Sequence, residues 1–215
     1  EQKQERGNMF FILRDIIKEK KPKAIFLENV RHLQNHDNGK TFEIIKNILE
    51  EELNYNISYK IVKASDYGLP QHRPRIFIIG FRKEDKYPHK FEFPQKKELA
   101  FTMSDVLGGN CNKEIGFTLR VGGRSSDITD RRNWDSYLVD NKVYKITSKE
   151  GKKMMGFPEN FEFPVSETQS MKQLGNSVAI YAVECVAKEI VKYLNKINTE
   201  PVFEINREQL VIQLV

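Results

Sequence analysis

Disulfides, membrane spans and repeats are all missing from this chain, and each absence narrows its class. The 215 residues hold two cysteines, Cys111 and Cys185, too far apart in sequence for a disulfide framework or a metal-ligand spacing. That usage points to a reduced cytoplasm. No apolar run approaches the roughly 20 residues that cross a bilayer. The opening Glu1-Gln2-Lys3-Gln4 has no signal-peptide pattern. Internal repeats and low-complexity tracts are also lacking. The composition, 39% hydrophobic and 30% charged, is that of an ordinary soluble protein long enough for one domain or one and a half. A net charge of +5 and a pI near 9.0 suit a nucleic-acid partner without requiring one.

What is present begins with Lys23-Ala24-Ile25-Phe26-Leu27-Glu28-Asn29-Val30. A short continuous apolar run is the pattern of a strand buried on both faces, and here it leads straight into an acid and an amide. In open α/β sheets, ligands bind at the carboxyl ends of strands, which is where this run places Glu28. Before it, Met9 to Lys20 reads as a helix with Met9, Phe10, Leu13, Ile16 and Ile17 on one face, Gly7 ahead of it and Pro22 behind. After it come a turn at Asp37-Asn38-Gly39, a helix over Thr41 to Leu53, a strand through Ile57, Tyr59 and Ile61, and a buried strand over Arg75 to Phe81. Helix, strand, helix, strand, strand is part of a doubly wound α/β sheet.

Beyond Phe81 the character changes. Residues 83 to 97 are charged and contain Pro88 and Pro94, as a linker or crossing loop would. Residues 99 to 145 are irregular, Gly-rich and basic, which predicts a small second domain. A short helix over Ser148 to Met155 stops before Gly156, and a last long helix is expected over Asn176 to Leu194, opened by Gly175-Asn176. The predicted organisation is therefore catalytic α/β domain over 1–82, recognition domain over 83–145, return to the first domain over 146–195, and a tail over 196–215. The apolar end of that tail reads as a strand that pairs with something.

Three further motifs act together with Glu28-Asn29-Val30. They are Gln71-His72-Arg73-Pro74-Arg75, Gly156-Phe157-Pro158 and Gly175-Asn176-Ser177-Val178. In this order and at about this spacing the set resembles the DNA (cytosine-5) methyltransferase family, over most of the chain from Arg6 to Leu194. Each motif alone is weak, and the ordered set is specific. The fold implied is a partial, Rossmann-like class I methyltransferase sheet plus a small irregular target-recognition domain.

The resemblance implies a chemistry. Carbon 5 of cytosine is a poor nucleophile, so the family adds a cysteine thiolate to carbon 6, assisted by a carboxyl group at ring N3. Glu28 matches that carboxyl, which would need its pKa raised by burial from about 4.3. Asn29 matches the amide that braces the nucleophile loop. Arg75 would face O2 of a flipped cytosine, and Arg73 would anchor a phosphate or the nucleophile loop, because guanidinium donors form a planar fork. His72 falls on the motif's variable position. Asn176 and Ser177 match residues beside the methionine end of S-adenosylmethionine, with a helix start supplying free N–H groups. Arg120, Arg124, Arg131 and Arg132, near Trp134, occupy the target-recognition region, as readers of guanine or as phosphate contacts. Ile146-Thr147-Ser148-Lys149-Glu150 departs from the family's Leu-[Thr/Ser]-Pro-Arg-Glu, which puts local packing in doubt.

The family's Phe-x-Gly-x-Gly loop, its ribose-binding acid and its Pro-Cys nucleophile have no match in the chain. Neither Cys111 nor Cys185 stands where that thiolate belongs. The expectation is thus a C-terminal part, unable to methylate double-stranded DNA without the missing N-terminal half, with a complementing half, a subunit or a dimer contact covering the open sheet edge. A non-catalytic DNA-binding or regulatory remnant is the alternative.

Overall fold

The computed structural model describes residues 2–85, 90–122 and 126–195, with side chains from Met9 onward. Helix α1 (Gln2–Lys20) leads into strand β1 (Ala24–Val30). Gly7 lies inside α1, not ahead of it, so the helix begins earlier than its apolar periodicity suggested. Lys21, at φ 45°, ends it by returning its N–H to the Ile17 carbonyl at 2.8 Å. After β1 the chain turns through Asp37, Asn38 and Gly39, all at positive φ, into α2 (Lys40–Asn47), which continues as a π turn over Ile48–Glu52. Strands β2 (Tyr55–Lys63) and β3 (Pro74–Arg82) follow.

The three strands form one sheet in the order β1-β3-β2, with β3 antiparallel to both neighbours. Alternation along β3 divides its side chains between two faces. Phe77, Ile79 and Phe81 pack against Ala182, Val186 and Ile190 of helix α6 (Ile180–Asn195). Ile76 and Ile78 face the other way, onto Ile17 of α1 and Phe42, Ile45 and Leu49. Helices on both faces of a sheet are the doubly wound arrangement expected for this chain.

The strand buried on both faces is β3, not β1. In β1 only Ile25 is buried, and Val30 is 50% exposed. The reason is position: β1 hydrogen-bonds to β3 on one side only and forms an edge among the described residues. The predicted apolar face of α1 is likewise only partly covered. Ile17 is buried, while Met9, Leu13 and Ile16 remain exposed.

The rest of the described chain has its own core. Helix α3 (Met103–Leu107), the β4–β5 hairpin (Ser136–Val139, Lys142–Lys145), helix α4 (Ser148–Met155) and helix α5 (Glu167–Asn176) surround Trp134, Ile146, Met154, Met171 and Leu174. The departures before Gly156 leave no packing fault. Thr147 and Glu150 form a reciprocal capping box at the start of α4. Ser148, where the family usually has proline, donates its backbone N–H to Glu167 at 2.8 Å, a bond proline could not make. Residues 90–97 are not a bare connector either: Phe91 is buried, with its ring 5.6 Å from that of Phe81. Among the described residues no helix is long and apolar enough to cross a membrane. The tail over 196–215, read as a strand from its sequence, lies outside the described residues.

Candidate active site at the β1–β3 edge

In the β1–β3 ladder Glu28 lies opposite Phe77, and Val30 opposite Arg75. Residues paired across a ladder share a face, as do residues two apart in one strand, so Glu28 and Arg75 are diagonal neighbours. Their side chains close that diagonal: Arg75 Nε lies 3.0 Å from Glu28 Oε1. Both are largely withdrawn from water, with side-chain exposures of 15% for Arg75 and 25% for Glu28. Burial pushes the Glu28 carboxyl above its ordinary range, against the opposing pull of the Arg75 and Arg73 charges and the Arg75 hydrogen bond. Burial also lowers Arg75, and the Glu28 charge opposes that. A carboxyl that holds its proton more tightly than usual, beside a planar donor fork, can offer a proton and a hydrogen bond to adjacent polar atoms of a planar ring. Strand β1 continues two residues past Glu28, and the exposed Asn29 side chain accepts the Val30 N–H through its oxygen at 2.8 Å.

Arg73 is placed differently from Arg75. It is buried and faces backbone carbonyls: Nη1 donates to Leu119 at 3.1 Å, and Nη2 to Gly175 at 2.9 Å and to Ser177. Burial, followed by the neighbouring Arg75 charge, lowers its pKa. It joins β3 to the recognition region and to the α5–α6 junction through its two terminal nitrogens, while its Nε is buried without a hydrogen-bond partner among the described residues. His72, on the motif's variable position, is exposed.

The cofactor candidates need correction in one respect. Asn176 and Ser177 do not open a helix. Asn176 is the last residue of α5, Ser177 turns extended, and α6 begins only at Ile180. Free N–H groups therefore belong to the residues from about Ile180 onward, not to Asn176. The Ser177 hydroxyl donates to the Leu174 carbonyl at 2.9 Å, while Asn176 is exposed.

Of the recognition-region arginines, Arg120 and Arg131 are exposed. Arg132 is held by Asp130, with Nη2 to Oδ2 at 2.8 Å. Arg124 lies outside the described residues. Trp134 is a core residue, 1% exposed, its indole N–H donating to the Gly122 carbonyl at 3.1 Å. Cys111 is buried in the second core and Cys185 is partly buried on α6.

Sequence reasoning passed over Gln71 as a side chain. It is 0% exposed and bonded to both the recognition region and α4. Its place at the head of Gln-x-Arg-x-Arg was the available signal.

A three-stranded sheet with helices on both faces and an acid–arginine pair at its edge fits the class I methyltransferase fold. Solved structures agree: a Spodoptera frugiperda DNMT2 variant superposes with a TM-score of 0.64 at 15% identity, over 84% of this chain and 70% of that one. The chain belongs to the C-5 cytosine-specific DNA methylase family, whose model matches residues 1–120 and 113–192. It is 38% identical to the type II methyltransferase M.SsoII of Shigella sonnei over 88% of its own length, and spans 58% of that protein. It is 31% identical to the type II methyltransferase M.DsaV of Dactylococcopsis salina over 97% of its length, spanning 68% of that relative.

Proposed function

We propose that this chain forms the base-binding and target-recognition part of a type II DNA cytosine-5 methyltransferase of a restriction–modification system. It would act on a cytosine flipped out of double-stranded DNA. The observation that carries the reading is the Glu28–Arg75 pair, 3.0 Å apart, with the carboxyl raised by burial. Glu28 supplies a proton or a short hydrogen bond to ring N3. Arg75 holds O2 in the same plane. Arg73 keeps β3, Leu119 and Ser177 in fixed relation behind them.

The attacking thiolate comes from residues outside this chain, since Cys111 is buried in the second core and Cys185 lies on α6. S-adenosylmethionine supplies the methyl group when bound. The exposed Asn176 amide and the start of α6 fit the polar amino-acid end of such a cofactor, and the rest of its site also lies outside this chain. Arg120, Arg124, Arg131 and Arg132 on the 83–145 region contact the duplex.

The test is methyl transfer to DNA by the chain assembled with a complementing N-terminal part. Glu28→Gln keeps the size but not the titrating proton, and lowers transfer by about 100-fold or more. Undiminished transfer by Glu28→Gln removes the proposed role. DNA binding without transfer by the assembled wild type favours the DNA-binding remnant.

A further inference from the structure

Gln71 sits three residues ahead of β3, fully buried, and its carboxamide is used at both ends. Its oxygen accepts the Leu119 N–H at 3.2 Å, and its nitrogen donates to the Met154 carbonyl at 3.2 Å and lies 3.1 Å from Met155 Sδ. The partners fix which end is oxygen, because an N–H needs an acceptor and a carbonyl needs a donor. Backbone contacts continue the same seam. His72 N–H donates to the Gly116 carbonyl at 2.8 Å, Gly116 N–H donates to the Pro70 carbonyl at 2.9 Å, and the Thr118 hydroxyl donates to the His72 carbonyl.

Both backbone groups of Leu119 are thereby taken by side chains of the Gln-x-Arg-x-Arg segment, its N–H by Gln71 and its C=O by Arg73. The next residue, Arg120, leaves this clamp with its own backbone pressed on Gly175. A Cβ at Gly175 would come 2.6 Å from the Arg120 carbonyl carbon. Arg120 is thus an exposed residue on a backbone held from two sides, by the Gln71–Arg73 segment and by Gly175 of α5. Arg132 is tied instead to a carboxylate, and Arg131 sits in a turn.

We infer that Gln71 is a positioning residue that presents Arg120 to the DNA, so that target selectivity depends on this amide at the foot of β3. The inference rests on the proposed function. It requires one acceptor and one donor at a single buried position, which an amide supplies. A carboxylate there turns an acceptor toward the Met154 carbonyl, and a methionine leaves both partners unpaired.

The chemistry also provides a rescue. In Gln71→Glu, the protonated carboxyl again offers one acceptor and one donor. Burial beside a carbonyl raises the pKa of that carboxyl, so the rescue falls within a workable pH range.

The experiment is methylation of a random-sequence duplex library by the assembled enzyme, read by sequencing the modified cytosines. Selectivity is the ratio of modification at the preferred site to that at its single-base neighbours. Gln71→Glu lowers this ratio about tenfold at pH 8 and recovers most of it at pH 6, while the wild-type ratio stays level. Arg120→Ala lowers the ratio to a similar extent in the wild-type background and by less than twofold in Gln71→Met. A ratio unchanged in Gln71→Glu, or lowered equally at both pH values, overturns the inference, as does an undiminished Arg120→Ala effect in Gln71→Met. Library DNA left unmodified by the assembled wild type, with DNA still bound, instead removes the proposed function and this inference with it.

Discussion

The two ends of the molecule treat apolar side chains in opposite ways. In the core around Trp134, the residues Met103, Ile146, Met154, Met155 and Leu174 are all 0% exposed. At the β1 edge and on α1, Met9, Ile12, Ile16 and Val30 are each at least half exposed. The first region completes its own interior from residues 103–174. The second presents side chains of interior type to water. The candidate chemistry lies at the start of β3 and in the segment leading into it, which meet both regions, for Arg75 reaches the open edge through Glu28 while Gln71 and Arg73 reach the closed core.

The widest gap should appear in stability. Trp134→Ala empties a filled site and also frees the Gly122 carbonyl, so it should cost about 3–5 kcal/mol in urea unfolding. A cost under about 1 kcal/mol would show that the closed core is looser than its packing indicates. Next comes the contact between the regions. Gly175→Ala drives a methyl group into the backbone at Arg120, and neither backbone can yield as a flexible side chain would. It should cost about 1–3 kcal/mol and lower DNA affinity along with the melting temperature. On the open side, Ile16→Ala should change the stability of this chain alone by no more than about 0.5 kcal/mol. A cost of several kcal/mol would mean that the α1 face is covered in solution.

The smallest effect is pH-dependent. Glu28 is raised above its unfolded value near 4.3. The folded state therefore binds this proton more tightly than the unfolded chain does. Its contribution is fully present below that value and is lost as pH rises through the folded pKa. Compared with wild type, Glu28→Gln should lose less stability as pH climbs from about 4 toward neutrality. Parallel stability–pH curves for the two proteins would mean that Glu28 titrates normally.

Strand β3 was readable because both its faces are filled from this chain, so its apolar run and its burial coincide. The run in β1 has the same composition but the strand has one neighbour, and a sequence pattern does not record how many neighbours a strand has. Helix α4 was readable from the stop at Gly156, which adopts φ 80° as a helix-ending glycine does. The break at Ser177 was not, because glycine, asparagine and serine serve equally at the end of one helix and the start of the next. Glu28 and Arg75 could be paired through the motif set. The burial of Gln71 and Arg73 could not, because their partners at Leu119 and Gly175 lie 48 and 102 residues away in the chain.

The strict alternation of β3 decides which kinds of inherited change this stretch can absorb. Exchanging one apolar residue for another keeps each side chain on its face. Inserting or deleting one residue between Arg73 and Ile76 would turn the strand over, sending Phe77 and Ile79 toward α2 and rotating position 75 away from Glu28. Fold and site would fail in the same event, so β3 should vary by substitution while changes of length collect in the surface loops.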